Sequence, residues 1–167
     1  MKEELYKIIW HIVDQKDNLT LKVLDSGSSN TIVLSVAGED YGRIVGSKGR
    51  TIEMLQNLVD TYSVIPSVVD HWRLILETPT TPSWGLHKDF EPNQNWDIDE
   101  IKEDLTAFIS LFGDCEINVI DTGTNVIFEC IESEKNYLDD QVKDTIAFLT
   151  LAMCKGYGRN ATLEFFK

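Results

Sequence analysis

Gly46 and Gly49 bracket Ser47 and Lys48; Arg50 follows at once, and Arg43 lies three residues before the first glycine. Residues of these types at this spacing can hold an anion. Glycine reaches positive φ and leaves room for a ligand where a Cβ would stand. A helix starting just after the loop offers unpaired N–H groups and a partial positive charge. Arg43, Lys48 and Arg50 add full charges, a combination suited to gripping a phosphodiester backbone. The tetrapeptide alone discriminates little, because at a glycine frequency of roughly 7% it arises by chance in chains of this length about as often as not. The competing reading is a nucleotide-binding P-loop, which needs Gly-x-x-x-x-Gly-Lys-[Ser/Thr] after a strand. Here serine precedes the lysine and a helix precedes the loop, so that reading is rejected.

Nothing else in the chain carries reaction chemistry. His11, His71 and His87 share no metal-site or triad spacing, and Cys115, Cys130 and Cys154 form no Cys-x-x-Cys pair. No serine, cysteine or carboxylate has a recognisable activating partner. The expectation is a binding protein with no enzymatic activity, cofactor or metal. Gly156-Tyr157-Gly158-Arg159 lies ahead of the last strand and reads as a helix cap and turn.

Helices must carry the loop. Glu39–Val45 reads as a short helix before it and 50–62 as a longer one after it, with Ile52, Leu55, Leu58 and Val59 on one face. Upstream, Leu5, Ile8, Ile9, Ile12 and Val13 stripe an amphipathic helix over 2–15, too interrupted by charge for a signal peptide. Alternating Leu19, Leu21 and Val23 predict a strand, a Gly/Ser/Asn-rich turn follows Asp25, and 31–36 predicts its hairpin partner. A strand over 72–77 closes an αββααβ unit at residue 78.

A second unit is written over the first. Leu19–Gly27 (LTLKVLDSG) aligns with Cys115–Gly123 (CEINVIDTG), Thr31–Val36 with Asn125–Cys130, and Thr51–Leu55 with Thr145–Leu149. The proline-rich stretch 79–95 reads as the linker between domains 1–78 and 96–167. Its aromatics Trp84 and Phe90, with Trp96 just beyond, are expected to glue the halves together rather than stack on bases. Where the first unit has Gly46–Gly49, the second has Asp140-Gln141-Val142-Lys143, flanked by Asp139 and Asp144. Without glycines the chain cannot turn there, and three aspartates would repel phosphate.

The formal net charge of −13 argues against nucleic acid until it is divided. Residues 1–78 hold 8 Lys/Arg against 11 Asp/Glu, and 96–167 hold 6 against 15. The acidity belongs to the second half, which is expected to serve stability, dimerisation or docking of a basic protein. A hydrophobic content of 43% suits a packed core. No apolar run approaches the roughly 18 residues of a membrane span, and the expected compartment is the cytoplasm.

Glu39-Asp40-Tyr41-Gly42-Arg43-Ile44-Val45-Gly46-Ser47-Lys48-Gly49-Arg50-Thr51 resembles the signature E-D-x-G-x-x-I-G-x-x-G-R-T of KH-domain RNA-binding proteins, closest to the small bacterial KhpA type. The resemblance covers residues 3–78 and implies a type II KH fold. The expected fold class is therefore α+β, two tandem KH-like αββααβ units of which the second lacks the GxxG loop. The resemblance also implies that Gly46, Ser47, Lys48 and Gly49 clamp about four nucleotides of single-stranded RNA, with Arg43, Arg50 and Thr51 beside the clamp. Bases would lie in an apolar groove floored by Ile44 and Ile52, residues that could equally be core. Such capture suits an RNA chaperone or a post-transcriptional or ribosome-associated factor. A protein-interaction module using its acidic half is the alternative.

Overall fold

The computed structural model describes residues 1–80, 96–133 and 138–166. Trp84, His87, Phe90 and the rest of the expected linker from 81 to 95 lie outside them. Helix α1 (Lys2–Ile12) precedes strands β1 (Thr20–Asp25) and β2 (Ser29–Ser35), helices α2 (Gly38–Val45) and α3 (Arg50–Ser63), and strand β3 (His71–Leu76). Helix α4 (Ile98–Ile109), strands β4 (Cys115–Asp121) and β5 (Asn125–Glu132), helix α5 (Asp140–Lys155) and strand β6 (Asn160–Phe166) follow.

The strands form two sheets of the same plan. β1 pairs antiparallel with β2 and β2 parallel with β3; β4, β5 and β6 repeat both directions. Both hairpins turn by the same chemistry. Asp25 Oδ1 accepts the Gly27 N–H and Asp121 Oδ1 the Gly123 N–H, each at 2.7 Å, with Gly27 at φ 87° and Gly123 at φ 94°. A carboxylate that bonds the backbone two residues on, followed by a left-handed glycine, makes a compact reversal. The result is an α+β architecture with two three-stranded sheets, consistent with two KH-like units.

The helices differ between the halves. In the first, α2 and α3 are separated by a turn at Ser47–Gly49; in the second, one helix of 16 residues begins at Asp140. Asp97 caps α4 by accepting the N–H groups of Asp99 and Glu100.

Contacts divide the chain into two units. One comprises the described part of 13–91; the other joins Glu3–Ile12 to the described part of 92–167. Helix α1 thus groups with the second half, whereas the sequence pattern places it within 1–78. In the first unit Leu21, Ile32, Leu34, Ile44, Leu55, Leu58 and Leu74 are buried in the core. In the other, Leu5, Ile8 and Ile9 of α1 are fully buried, as are Phe108 and Phe128.

Polar side chains fix α1 in its unit. Lys7 Nζ donates to Asp104 Oδ1 at 2.7 Å, His11 Nε2 lies 3.0 Å from Asp104 Oδ2, and His11 Nδ1 lies 2.7 Å from the Tyr157 hydroxyl. With its proton on Nε2, the ring donates to Asp104 and accepts the phenolic proton, so both ring nitrogens are satisfied. Gly156 admits the end of α1: a Cβ there would stand 2.6 Å from the His11 carbonyl oxygen. Trp96 meets Tyr157 edge-on, ring centroids 5.3 Å apart, and the Arg159 guanidinium lies 5.2 Å from the Trp96 centroid.

Burial, with the carboxylates of Glu100, Asp104 and Asp97 nearby, pushes the Tyr157 phenol above its ordinary value of 10.0. The unfolded chain then ionises Tyr157 near pH 10 while the folded one retains the proton, so stability is complete below pH 10 and falls as pH rises past it. Unfolding midpoints between pH 8 and 11 should therefore decline more steeply for wild type than for Tyr157→Phe. Parallel declines would refute this assignment.

Candidate nucleic-acid interface

The turn between α2 and α3 uses three left-handed residues. Gly46 caps α2, its N–H donating to the Gly42 carbonyl at 2.9 Å, and adopts φ 73°, ψ 177°, a region essentially restricted to glycine. Lys48 has φ 56°, ψ 28°, the left-handed helical well that is costly for a residue with a Cβ. Gly49 follows at φ 80°, ψ 7°, and its N–H reaches the Gly46 carbonyl at 3.2 Å.

The two glycines are required for different reasons. A Cβ on Gly46 would collide with Thr51, standing 2.8 Å from its backbone nitrogen, whereas a Cβ on Gly49 meets nothing within 4 Å. Gly46 is held close by the buried Thr51; Gly49 only supplies conformation and leaves its flank open.

Ser47, Lys48 and Arg50 are exposed at the tip. Among the described residues no side chain caps the N-terminus of α3, which starts directly after Gly49. The Arg50 N–H is already taken by the Ser47 carbonyl, so it is the positive end of the helix and the two cations at one short turn that favour an oxyanion. Ile52 is half-buried in the first turn of α3, while Ile44 is fully buried and is a core residue in this structure.

Arg43, in the last turn of α2, points its guanidinium at a carboxylate. Nη1 donates to Asp14 Oδ1 at 2.8 Å, Nη2 lies 2.5 Å from Asp14 Oδ2, and Nε lies 3.9 Å from Asp40 Oδ1. Asp40 is buried and accepts the backbone N–H groups of Asp14 at 2.9 Å and Gln15 at 2.7 Å. The acid of the Glu39-Asp40 pair thus ties the segment after α1 to α2. Sequence reasoning missed Asp14, which lies 29 residues from its partner.

The corresponding place in the second half is built differently. Asp140–Lys143 form the first turn of α5, and Asp139 accepts the Gln141 N–H at 2.9 Å. The helix N-terminus there carries its own carboxylate. The Lys143 ammonium turns inward, 2.7 Å from Glu132 Oε2, and that bond raises its pKa. Glu132 is buried and also accepts the Leu138 N–H at 2.9 Å. Gly156–Arg159 closes α5, with the Arg159 N–H donating to the Cys154 carbonyl at 3.0 Å and Gly158 at φ 71°.

Among known proteins, the family profile described as KhpA/KhpB, KH domain, matches residues 2–64. The RNA-binding protein KhpA of Chlamydia pneumoniae is 37% identical over 59 residues, spanning 35% of this chain and 76% of its own length. KhpA of Listeria monocytogenes is 32% identical over 59 residues, covering 35% of this chain and 78% of the relative. KhpA of Streptococcus pneumoniae is 33% identical over 70 residues, covering 42% and 85% respectively. A solved structure, that of APE1850, aligns with 98% of the chain at 14% identity and a TM-score of 0.28, too low to bear on fold or function.

Proposed function

This chain belongs to the KhpA/KhpB family of KH-domain proteins, and from that premise we propose that it captures single-stranded RNA at the turn between α2 and α3, without catalysing a reaction. The observation that carries the reading is the turn itself: Gly46 and Gly49 in left-handed conformations, exposed Ser47, Lys48 and Arg50, and the start of α3 with no side-chain cap among the described residues. In this reading Gly46–Gly49 clamp the backbone of about four nucleotides. Lys48 and Arg50 meet phosphates, Thr51 braces Gly46 from beneath, and Ile52 lies toward the bases. The second half is a degenerate KH-like unit that takes no RNA at Asp140–Lys143, because a carboxylate already occupies its helix start and Lys143 is committed to Glu132.

The experiment is titration of a labelled single-stranded RNA oligonucleotide at several salt concentrations. Two to three phosphate contacts give a slope of log K against log salt of about −1.4 to −2.1. Ser47→Asp with Lys48→Asp should weaken binding at least about tenfold, two phosphate-facing groups having become repulsive. The melting temperature should stay close to wild type, since Asp enters the left-handed well more readily than Lys. Unchanged affinity in the double variant would sink the reading.

A second reading rests on the outer face of β4, β5 and β6. Alternation and register put Glu116, Ile131 and Phe166 in one row, Asn118, Glu129 and Glu164 in the next, and Ile120, Ile127 and Thr162 in a third. Ile120, Ile131 and Phe166 are 46%, 40% and 43% exposed. An acidic band between apolar bands suits a basic protein whose lysine or arginine stems lie on the apolar rows. Absence of RNA binding by wild type at low salt would favour this reading over the first.

A further inference from the structure

We propose that Asp14 holds Arg43 in reserve, so that this one ion pair sets how many cations the turn offers to an RNA backbone. The inference rests on RNA capture at Gly46–Gly49 and adds a residue that controls it.

Arg43 lies one helical turn before Gly46, on the part of α2 that runs into the clamp. A phosphate seated at the Gly46–Gly49 turn is a competing anion for its guanidinium. In this structure the competition is already decided in favour of a carboxylate. The fork of the guanidinium meets both oxygens of Asp14, at 2.8 Å and 2.5 Å, the two-point geometry that arginine forms equally well with phosphate.

Asp14 is held for this role by α2 itself. Asp40, three residues before Arg43, accepts the N–H groups of Asp14 and Gln15 and fixes the backbone that presents the Asp14 carboxylate. Asp40 sits deep, its side chain 2% exposed, while the Arg43 and Asp14 side chains are 30% and 40% exposed. The buried acid is scaffold; the outer pair is in contact with water, where ion pairs are weak and exchange readily. A backbone phosphate can replace Asp14, but Asp14 then remains nearby as a repelling charge. The pair therefore subtracts one cation from the interface.

Asp14→Asn keeps the size of the side chain and the backbone bond to Asp40 while removing the charge. It should bind the same labelled oligonucleotide several-fold tighter than wild type near 100 mM salt. Its salt dependence should steepen by about 0.7, the contribution of one single-strand phosphate contact. Asp14→Asn combined with Arg43→Gln should return both affinity and slope to wild-type values, because the gain belongs to the released arginine. Thermal melting of each variant checks that the fold is retained, and Asp14→Ser serves as a second charge-neutral replacement. Affinity in Asp14→Asn equal to or below wild type overturns the proposal, as does a gain that survives Arg43→Gln. Binding by no variant and not by wild type overturns RNA capture together with this inference, whereas RNA binding that ignores residue 14 overturns the inference alone.

Discussion

Gly46→Ala should lower the unfolding free energy of the unit spanning 13–91 by about 3 kcal/mol, while Gly49→Ala should lower it by only about 1 kcal/mol. The two residues share a motif and a positive φ but not an environment. At Gly46, the combination of φ 73° with ψ 177° lies outside any well a residue with a Cβ adopts readily, and the added carbon stands 2.8 Å from the Thr51 nitrogen. Thr51 is buried in the first turn of α3, so relief requires moving the start of that helix. At Gly49 the added methyl enters open space, and only the left-handed conformation is penalised. Urea unfolding followed by far-UV circular dichroism measures both. RNA affinity should track the same order, since Gly46→Ala displaces the N–H groups of α3 whereas Gly49→Ala obstructs only the approach to them. Equal losses at the two positions would refute the assignment of Thr51 as the brace.

Asp104→Ala should destabilise the other unit by about 3 kcal/mol or more, the range seen when one partner of a buried ionic cluster is removed. Asp104 is 6% exposed and is shared between Lys7 and His11. Lys7 is half in water, its side chain 52% exposed, and re-solvates at small cost; His11 is fully enclosed and would lose the acceptor at Nε2. Stranding the enclosed imidazole N–H without an acceptor therefore costs more than releasing the lysine to solvent. Asp104→Asn, which preserves an oxygen facing His11, should recover part of the loss. A denaturant midpoint for Asp104→Ala within error of wild type would show that the cluster contributes nothing.

The Gly46–Gly49 turn is legible in the sequence because its requirements are local. Two glycines, a lysine and an arginine fall within five residues, and it is the flanking apolar periodicity, marking the helices they interrupt, that gives the spacing its meaning. The hairpins are legible for the same reason, through Asp25 and Gly27 and again Asp121 and Gly123. What the sequence withholds is partnership across distance. Arg43 reads as a phosphate ligand until Asp14 is placed against it. His11 reads as one helical histidine among others until Asp104 and Tyr157, 93 and 146 residues away, close around it. The apolar stripe of α1 announces a buried face but does not name the neighbour that buries it. The single helix at 140–155 is half legible: loss of the glycines signals loss of the turn, while the helix start at Asp140 depends on the Asp139 cap.

Grouping α1 with the second half makes residues 13–91 an insertion inside the other unit, and that reverses the order of synthesis and assembly. Helix α1 leaves the ribosome before the inserted unit, yet the partners of His11, Asp104 and Tyr157, are made after it. At roughly 5–20 residues per second, the 146 residues separating His11 from Tyr157 correspond to a wait of about 7–30 s. During that interval the inserted unit can be translated in full, and its turn at Gly46–Gly49 completed, before α1 has Tyr157 to close upon. For several seconds of its life, a nascent chain of this protein would carry a completed Gly46–Gly49 turn together with an amphipathic helix whose apolar stripe still lacks the unit that buries it.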